Sequence, residues 1–256
     1  MLKSTAIILQ DPAMEGIAES VSNQLSIPII LEKTATYETY VTMLNGIIGL
    51  QNNSIKSDPF YIDFASDKLA YRLKKGGGRG ELLAKATGIN KINNPFVVDM
   101  TAGLGRDAFL LASLGCKILM FERDKIVNLI LKDGLLRASK NSNISHIISR
   151  MHLVSCDASK LSENLDQEID VIYIDPMFPS LDSKSAPKKE MQIFRKIVGR
   201  DQDQDNLLEI AKQAAPKRIV VKRPRKAPYL NATKPDVQFE GKANRYDVYL
   251  SSQSIL

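Results

Sequence analysis

Cysteine and histidine are scarce: two of each occur in 256 residues, and tryptophan is absent. Cys116 and Cys156 stand in or beside strand-like apolar runs, as small core hydrophobes do. No Cys-x-x-Cys pair and no Cys/His cluster occurs, so a structural zinc is not expected and no metal is assigned. His146 and His152 stand alone and read as structural or exposed. No apolar run approaches the roughly 20 residues needed to span a bilayer. No secretory leader precedes the first strand-like run, so a cytoplasmic protein without a membrane partner is expected. Acidic residues are the minority, 29 against 35 Lys and Arg, for a net charge of +6. A basic balance suits a polyanionic partner, although most surface charge is simply solvated.

What is present centres on residues 96–124, FVVDMTAGLGRDAFLLASLGCKILMFERD. Phe96, Val97 and Val98 form a short apolar run of the kind that fills a buried parallel strand, and Asp99 ends it. Thr101 to Gly105 form a turn. The dense apolar run Ala108 to Ala112 opens a helix that Gly115 closes, and residues 116–121 form a second strand with Glu122 at its tip. Gly103 and Gly105 let backbone approach a ligand where any Cβ would clash. The turn feeds a helix N-terminus with unsatisfied N–H groups and a positive dipole end. An acid roughly 20 residues on is placed to hydrogen-bond a ribose. Dinucleotides and S-adenosylmethionine both use this geometry. The G-x-G-x-x-A spacing ending at Ala108 permits NAD but does not require it. Asp99 suits the ammonium of S-adenosyl-L-methionine. A turn without a ligand is the third reading.

Residues 1–60 read as a small α+β subdomain. Strands are expected at residues 4–9, 28–31 and 40–44, with residues 47–50 extending the sheet. Asp11 is a candidate cap for a helix to about Leu25 that buries Ile17, Val21 and Leu25. Residues 61–64 are a further strand candidate. The basic, glycine-rich segment around Gly76 to Arg79 leads into a helix over 81–87 and either holds an anion or serves as a hinge. Residues 126–139 form a crossover helix with Ile126, Ile130 and Leu131 on one face. Residues 152–156 form a third strand, after which Asp157 either reads an adenine amine or caps the turn.

The second informative motif follows a fourth strand at residues 170–174: Asp175-Pro176-Met177-Phe178-Pro179. An exocyclic amine on a base is a poor nucleophile, because its lone pair is delocalised into the ring. A carboxylate and a backbone carbonyl that both grip its N–H hydrogens favour the tetrahedral amine that attacks. Prolines stiffen the loop and remove its own N–H donors, and an aromatic ring stacks on an extruded base. Asp175, the carbonyl of Pro176 and Phe178 take these roles; a plain proline-stiffened turn is the alternative. Residues 180–200 are basic, with Lys184, Lys188, Lys189, Arg195, Lys196 and Arg200, and suit phosphate contacts or a solvated helix face. A helix is expected over 207–214. A strand over 218–223 ends in a basic loop, and its pairing with 246–251 would complete a seven-stranded sheet.

Taken together, GGGRGE at 76–81, DMTAGLGRDAF at 99–109, FERD at 121–124, YIDPMFP at 173–179, SAPKKEM at 185–191, VVKRP at 220–224 and GKANRYDVY at 241–249 resemble the bacterial small-subunit ribosomal RNA methyltransferase J family. The resemblance implies a class I enzyme that uses S-adenosyl-L-methionine to methylate guanine N2 in 16S rRNA, as naked RNA or within the small ribosomal subunit. It also implies cofactor contacts at Arg106 and Asp107, at Glu122 and Arg123, at Ser159 and Lys160, and at Asp175. Asp157 and Lys160 carry more charge than the family's pattern at that turn. The fold expected is α/β: a Rossmann-like seven-stranded methyltransferase sheet over residues 61–256 with the small N-terminal α+β subdomain. Two rivals are an NAD-dependent oxidoreductase, which leaves Asp175 to Phe178 unexplained, and a non-catalytic RNA-binding assembly factor.

Overall fold

Apolar and β-branched side chains crowd residues 5–9 and 39–44, and both stretches are strands in a computed structural model that describes residues 4–66, 69, 80–165, 167–176, 189–198 and 204–251. The chain divides into two units: Met1–Asp63 with Asp124–Leu136 and the helix at 189–198, and Phe64–Arg123 with Arg137–Met177 and Asp201–Leu256.

In the first unit, β1 (Thr5–Leu9) is followed by a helix α1 (Glu15–Leu25), a two-residue β2 (Ile29–Ile30), then β3 (Thr39–Leu44) and β4 (Ile47–Asn52). The sheet order is β2-β1-β3-β4. β1 runs parallel to both neighbours, and β3 and β4 form an antiparallel hairpin. Its turn residues Asn45 and Gly46 both have positive φ, 50° and 71°, as a two-residue hairpin turn requires. Asp11 caps the first turn, accepting from the Ala13 N–H at 3.0 Å. α1 buries Ala18, Val21 and Leu25, whereas Ile17 is 49% exposed. The expected face was thus misplaced at Ile17, because one residue turns a helix about 100° and Ala18 occupies the core-facing position. The strand expected at 28–31 shrinks to β2, and Leu31 is exposed. Residues 61–64 are not a strand; Phe60 makes an isolated bridge with Leu50 and the ladder stops there.

The second unit begins with α2 (Leu82–Thr87), then β5 (Phe96–Asp99), α3 (Arg106–Ser113) and β6 (Lys117–Phe121). The chain continues through α4 (Lys125–Ser139), α5 (Ser145–Ile148), β7 (Met151–Val154), β8 (Val171–Ile174), α6 (Lys189–Val198), α7 (Gln204–Gln213), β9 (Arg218–Pro224), β10 (Val237–Glu240) and β11 (Asn244–Leu250); of these, α6 and most of α4 belong to the first unit. The seven strands are ordered β10-β11-β9-β8-β5-β6-β7. β5 to β9 are mutually parallel, and β11 is antiparallel to both β9 and β10. Val98, Ile172, Ile174, Ile219 and Val221 from neighbouring strands share one buried cluster with Leu208 and Ala211 of α7. Full burial of each such aliphatic side chain contributes about 1.5–3 kcal/mol.

The expected pairing of the last strands holds, with Tyr246 opposite Lys222 and Val248 opposite Val220. The seventh strand, however, is β10. Its four residues are three exposed and one half-buried, so it shows no alternation to read. Asp170, expected to open the fourth strand, instead ties strand starts together: its carboxylate accepts from the Phe96 N–H at 2.9 Å and the Lys217 ammonium at 2.8 Å. β5 has β8 on one side and β6 on the other, and ligands of open α/β sheets lie over the C-terminal strand ends at such a reversal.

Candidate active site

The chain leaves β5 at Asp99 and is pinned on both sides. The Met100 N–H donates to the Tyr173 carbonyl and the Ala102 N–H to the Phe121 carbonyl, each at 3.0 Å. Gly103 and Gly105 have φ of 53° and 68°, and Gly105 is the N-cap of α3; positive φ at both explains why no side chain stands there. The Gly103 N–H donates to Oε2 of Glu122 at 2.9 Å, so the acid at the tip of β6 is oriented by the turn itself.

Carboxylates ring this turn. Asp99 is 2% exposed, and its Oδ1 accepts from the Thr101 N–H at 3.0 Å. Burial raises its pKa to about 7, opposed by the Thr101 N–H and reinforced by the charges of Asp107, Asp175 and Glu122. Asp175 sits directly after β8, its N–H donating to Thr101 Oγ1 at 2.7 Å. Desolvation pushes its carboxyl up as well; Lys222 pulls it down and Asp107 pushes it up, leaving it above the ordinary range.

The side chains that tie these acids together were not among the sequence candidates. Lys222 on β9 donates to Oδ2 of Asp107 at 2.7 Å and to Oδ2 of Asp175 at 2.9 Å. The Tyr173 hydroxyl donates to the same Asp107 oxygen at 2.8 Å. Burial alone would lower the Lys222 ammonium; the charges of Asp175 and Asp107 outweigh it and hold the group protonated. Lys222 reads in the sequence as one of four cations in KRPRK. Two of the four turn inward. Arg223 is 3% exposed and donates to the Pro228 carbonyl at 3.0 and 2.6 Å. It lies beside a buried Arg245–Asp247 pair at 2.9 Å, and Arg245 also holds the Arg225 and Ala227 carbonyls at 2.8 Å. The loop after β9 is therefore folded on buried arginines, with Arg225 and Lys226 exposed.

The remaining candidates separate. Arg106 is exposed at the first position of α3, whereas Asp107 points to Lys222. Arg123 reaches Asp157 at 3.5 Å across exposed side chains. Asp157 caps the 3₁₀ turn over Ala158–Asn164, accepting from the Ser159 N–H at 2.8 Å. Partial burial would raise Asp157; the Ser159 groups and Arg123 outweigh it and hold it below the usual carboxylate value. Ser159 and Lys160 are exposed beside it, and Pro176 is buried behind Asp175. Phe178 lies outside the described residues, as do Gly76 to Arg79, Lys184, Lys188 and Arg200. An open cleft of about 790 Å³ at the opposite, N-terminal ends of β8 and β9 has two of its three lining cations engaged in the fold: Lys217 on Asp170, Arg218 on the Ala86 carbonyl.

The donor set discriminates between cofactors. Asp99, Asp107, Glu122 and Asp175 concentrate acidic groups around one lysine, and the last three add to what burial does in raising Asp99. A ligand carrying an ammonium and a sulfonium fits such a site. The pyrophosphate of a dinucleotide would add negative charge to it.

A family profile described as a putative SAM-dependent methyltransferase matches residues 24–251. Ribosomal RNA small subunit methyltransferase J of Coxiella burnetii (strain RSA 493 / Nine Mile phase I) is 38% identical over 255 residues, 99% of this chain and 100% of the relative. The protein of that name from Tolumonas auensis is 49% identical over 199 residues, 77% of this chain and 80% of the relative. The crystal structure of a SAM-dependent methyltransferase from Neisseria gonorrhoeae is 32% identical with a TM-score of 0.76, over 96% of both chains. Relatives of one name run the length of the sequence and one solved methyltransferase shares the fold throughout: the chain belongs to the ribosomal RNA small subunit methyltransferase J family.

Proposed function

We propose that this S-adenosyl-L-methionine-dependent rRNA methyltransferase acts in the cytoplasm on the exocyclic N2 of a guanine in 16S rRNA, presented as RNA or within the small ribosomal subunit. The observation that carries the reading is Asp175, fixed at the tip of β8 beside the glycine turn by its own N–H and by one carboxylate oxygen. Its side chain is 37% exposed, and Oδ1 has no partner among the described residues. That oxygen and the Pro176 carbonyl accept the two N–H hydrogens of the amine and localise its lone pair toward the methyl group. Phe178 stacks on the base.

The cofactor supplies, when bound, a methyl group made electrophilic by its positive sulfonium. Asp99 and the backbone of Gly103 and Gly105 hold the methionine part, and Glu122 holds the ribose. Arg106, Asp107, Arg123, Asp157, Ser159 and Lys160 complete the surround. Placement of charge and alignment then matter more than a strong base. On this reading residues 61–256 carry the chemistry and residues 1–60 are a subdomain outside it.

Asp175→Ala tests the reading. Methyl incorporation into 16S rRNA is expected to fall by about 100-fold or more, the scale of a lost transition-state hydrogen bond, with RNA affinity retained. Nucleoside mass mapping should lose N2-methylguanosine in cells lacking the protein. Full methyl incorporation by Asp175→Ala would place catalysis on another group, and a methyl found on another atom would remove the guanine N2 assignment.

A further inference from the structure

We infer that Lys222 is a positioning residue for methyl transfer: braced against Asp107, its ammonium fixes Asp175 by one carboxylate oxygen and leaves the other as acceptor for the substrate amine. The inference rests on the role proposed above for Asp175 and adds what keeps that residue competent.

The geometry is a chain of restraints. Tyr173 and Lys222 both donate to Oδ2 of Asp107, at 2.8 and 2.7 Å. Burial keeps the Tyr173 phenol well above its ordinary pKa, so it stays a donor. Lys222, anchored in this way, holds Oδ2 of Asp175 at 2.9 Å, and Thr101 holds the Asp175 backbone. The Lys222 side chain is 20% exposed and that of Asp107 12%, so the brace is largely withdrawn from solvent.

The chemistry requires an ionised acid at the end of this chain. A protonated Asp175 would present an O–H donor to an amine that itself offers donors. Partial desolvation favours the protonated form of Asp175, and Asp107 pushes the same way; the opposing charge is Lys222. Asp99 on β5, with Glu122 beside it, adds to the negative field, and among the described residues Tyr173 and Tyr246 also face the network. An opposite charge at this range shifts a carboxylate by about 1–3 pH units and a like charge shifts it the other way.

The test measures single-turnover methylation against pH, with cofactor affinity by calorimetry, for Lys222→Met, Lys222→Arg, Asp107→Asn and Asp175→Ala. Lys222→Met should lower the rate at neutral pH by at least about tenfold and move the acidic limb up by about one pH unit or more, without weakening binding of the cationic cofactor. Lys222→Arg should keep the acidic limb near the wild-type position. Asp107→Asn should move that limb to lower pH. If Lys222→Met does not fold, Lys222→Gln takes its place: an acidic limb that stays at the wild-type position overturns the inference. A wild-type profile for Lys222→Met beside an inactive Asp175→Ala removes the role of Lys222 only. Activity in Asp175→Ala removes the underlying assignment whatever Lys222 does.

Discussion

Asp99 stores a pH dependence in the ligand-free fold. Its carboxyl is raised from 3.8 to about 7, first by burial and then by neighbouring acids. Between about pH 4 and 7 the native state keeps a proton that the unfolded chain has released, so this group's contribution to stability falls as pH rises through that window, by a few kcal/mol in all. Asp99→Asn keeps an acceptor for the Thr101 N–H and removes the titration. The two ligand-free proteins should melt together near pH 4, where the native side chain at this position is neutral in both. By pH 8 the substituted protein should be the more stable. Melting curves at both pH values decide it, and an unchanged gap would mean that the carboxyl is not buried as an acid. The sequence located Asp99, Glu122 and Asp175 because strand ends and glycine turns have a local signature. It did not locate Lys222, Tyr173 or Thr101, whose significance is to be neighbours of Asp107 and Asp175 across the sheet.

At the scale of elements, α4 carries a glycine in mid-helix, where alanine would normally gain about 1 kcal/mol. Gly134 is there because Ile62 passes against it. A Cβ would meet the Ile62 side chain at 2.9 Å and its carbonyl oxygen at 3.1 Å. Gly134→Ala should therefore destabilise by up to about 2 kcal/mol net, since overpacking costs about 1–3 kcal/mol against the roughly 1 kcal/mol that alanine gains. Melting should fall by roughly 2–4 °C for each kcal/mol in a protein of this size, and a rise would show that the contact yields freely. Most elements of the large sheet were legible to within two residues, since buried parallel strands are short apolar runs bounded by turns. The errors fell where burial is decided elsewhere in the chain: Ile17 turned outward, residues 61–64 left the sheet, and β10 joined it without an apolar pattern of its own.

Across the whole molecule, charge is unevenly divided. Residues 1–63 hold three lysines, no arginine and seven acidic residues, so their net charge is −4 and the rest of the chain carries +10. Affinity for a polyanion must then come mainly from residues 64–256. Lys226 is exposed on the loop after β9, whose Val221 lies opposite Ile174 just before Asp175, and Lys33 is exposed within the acidic segment 1–63. Lys226→Ala should weaken RNA binding and lower the salt dependence by roughly one in slope, as expected for one lost phosphate contact. Lys33→Ala should leave both unchanged; titrations at several salt concentrations measure this, and equal effects would contradict the division. The sequence by itself determined the strand–turn–helix order, the glycine turn and the acids at the strand ends, because periodicity and φ preference act over a few residues. Only the tertiary structure decided which cations face inward, because a lysine in KRPRK becomes a clamp or a surface charge according to the carboxylates that distant strands bring beside it.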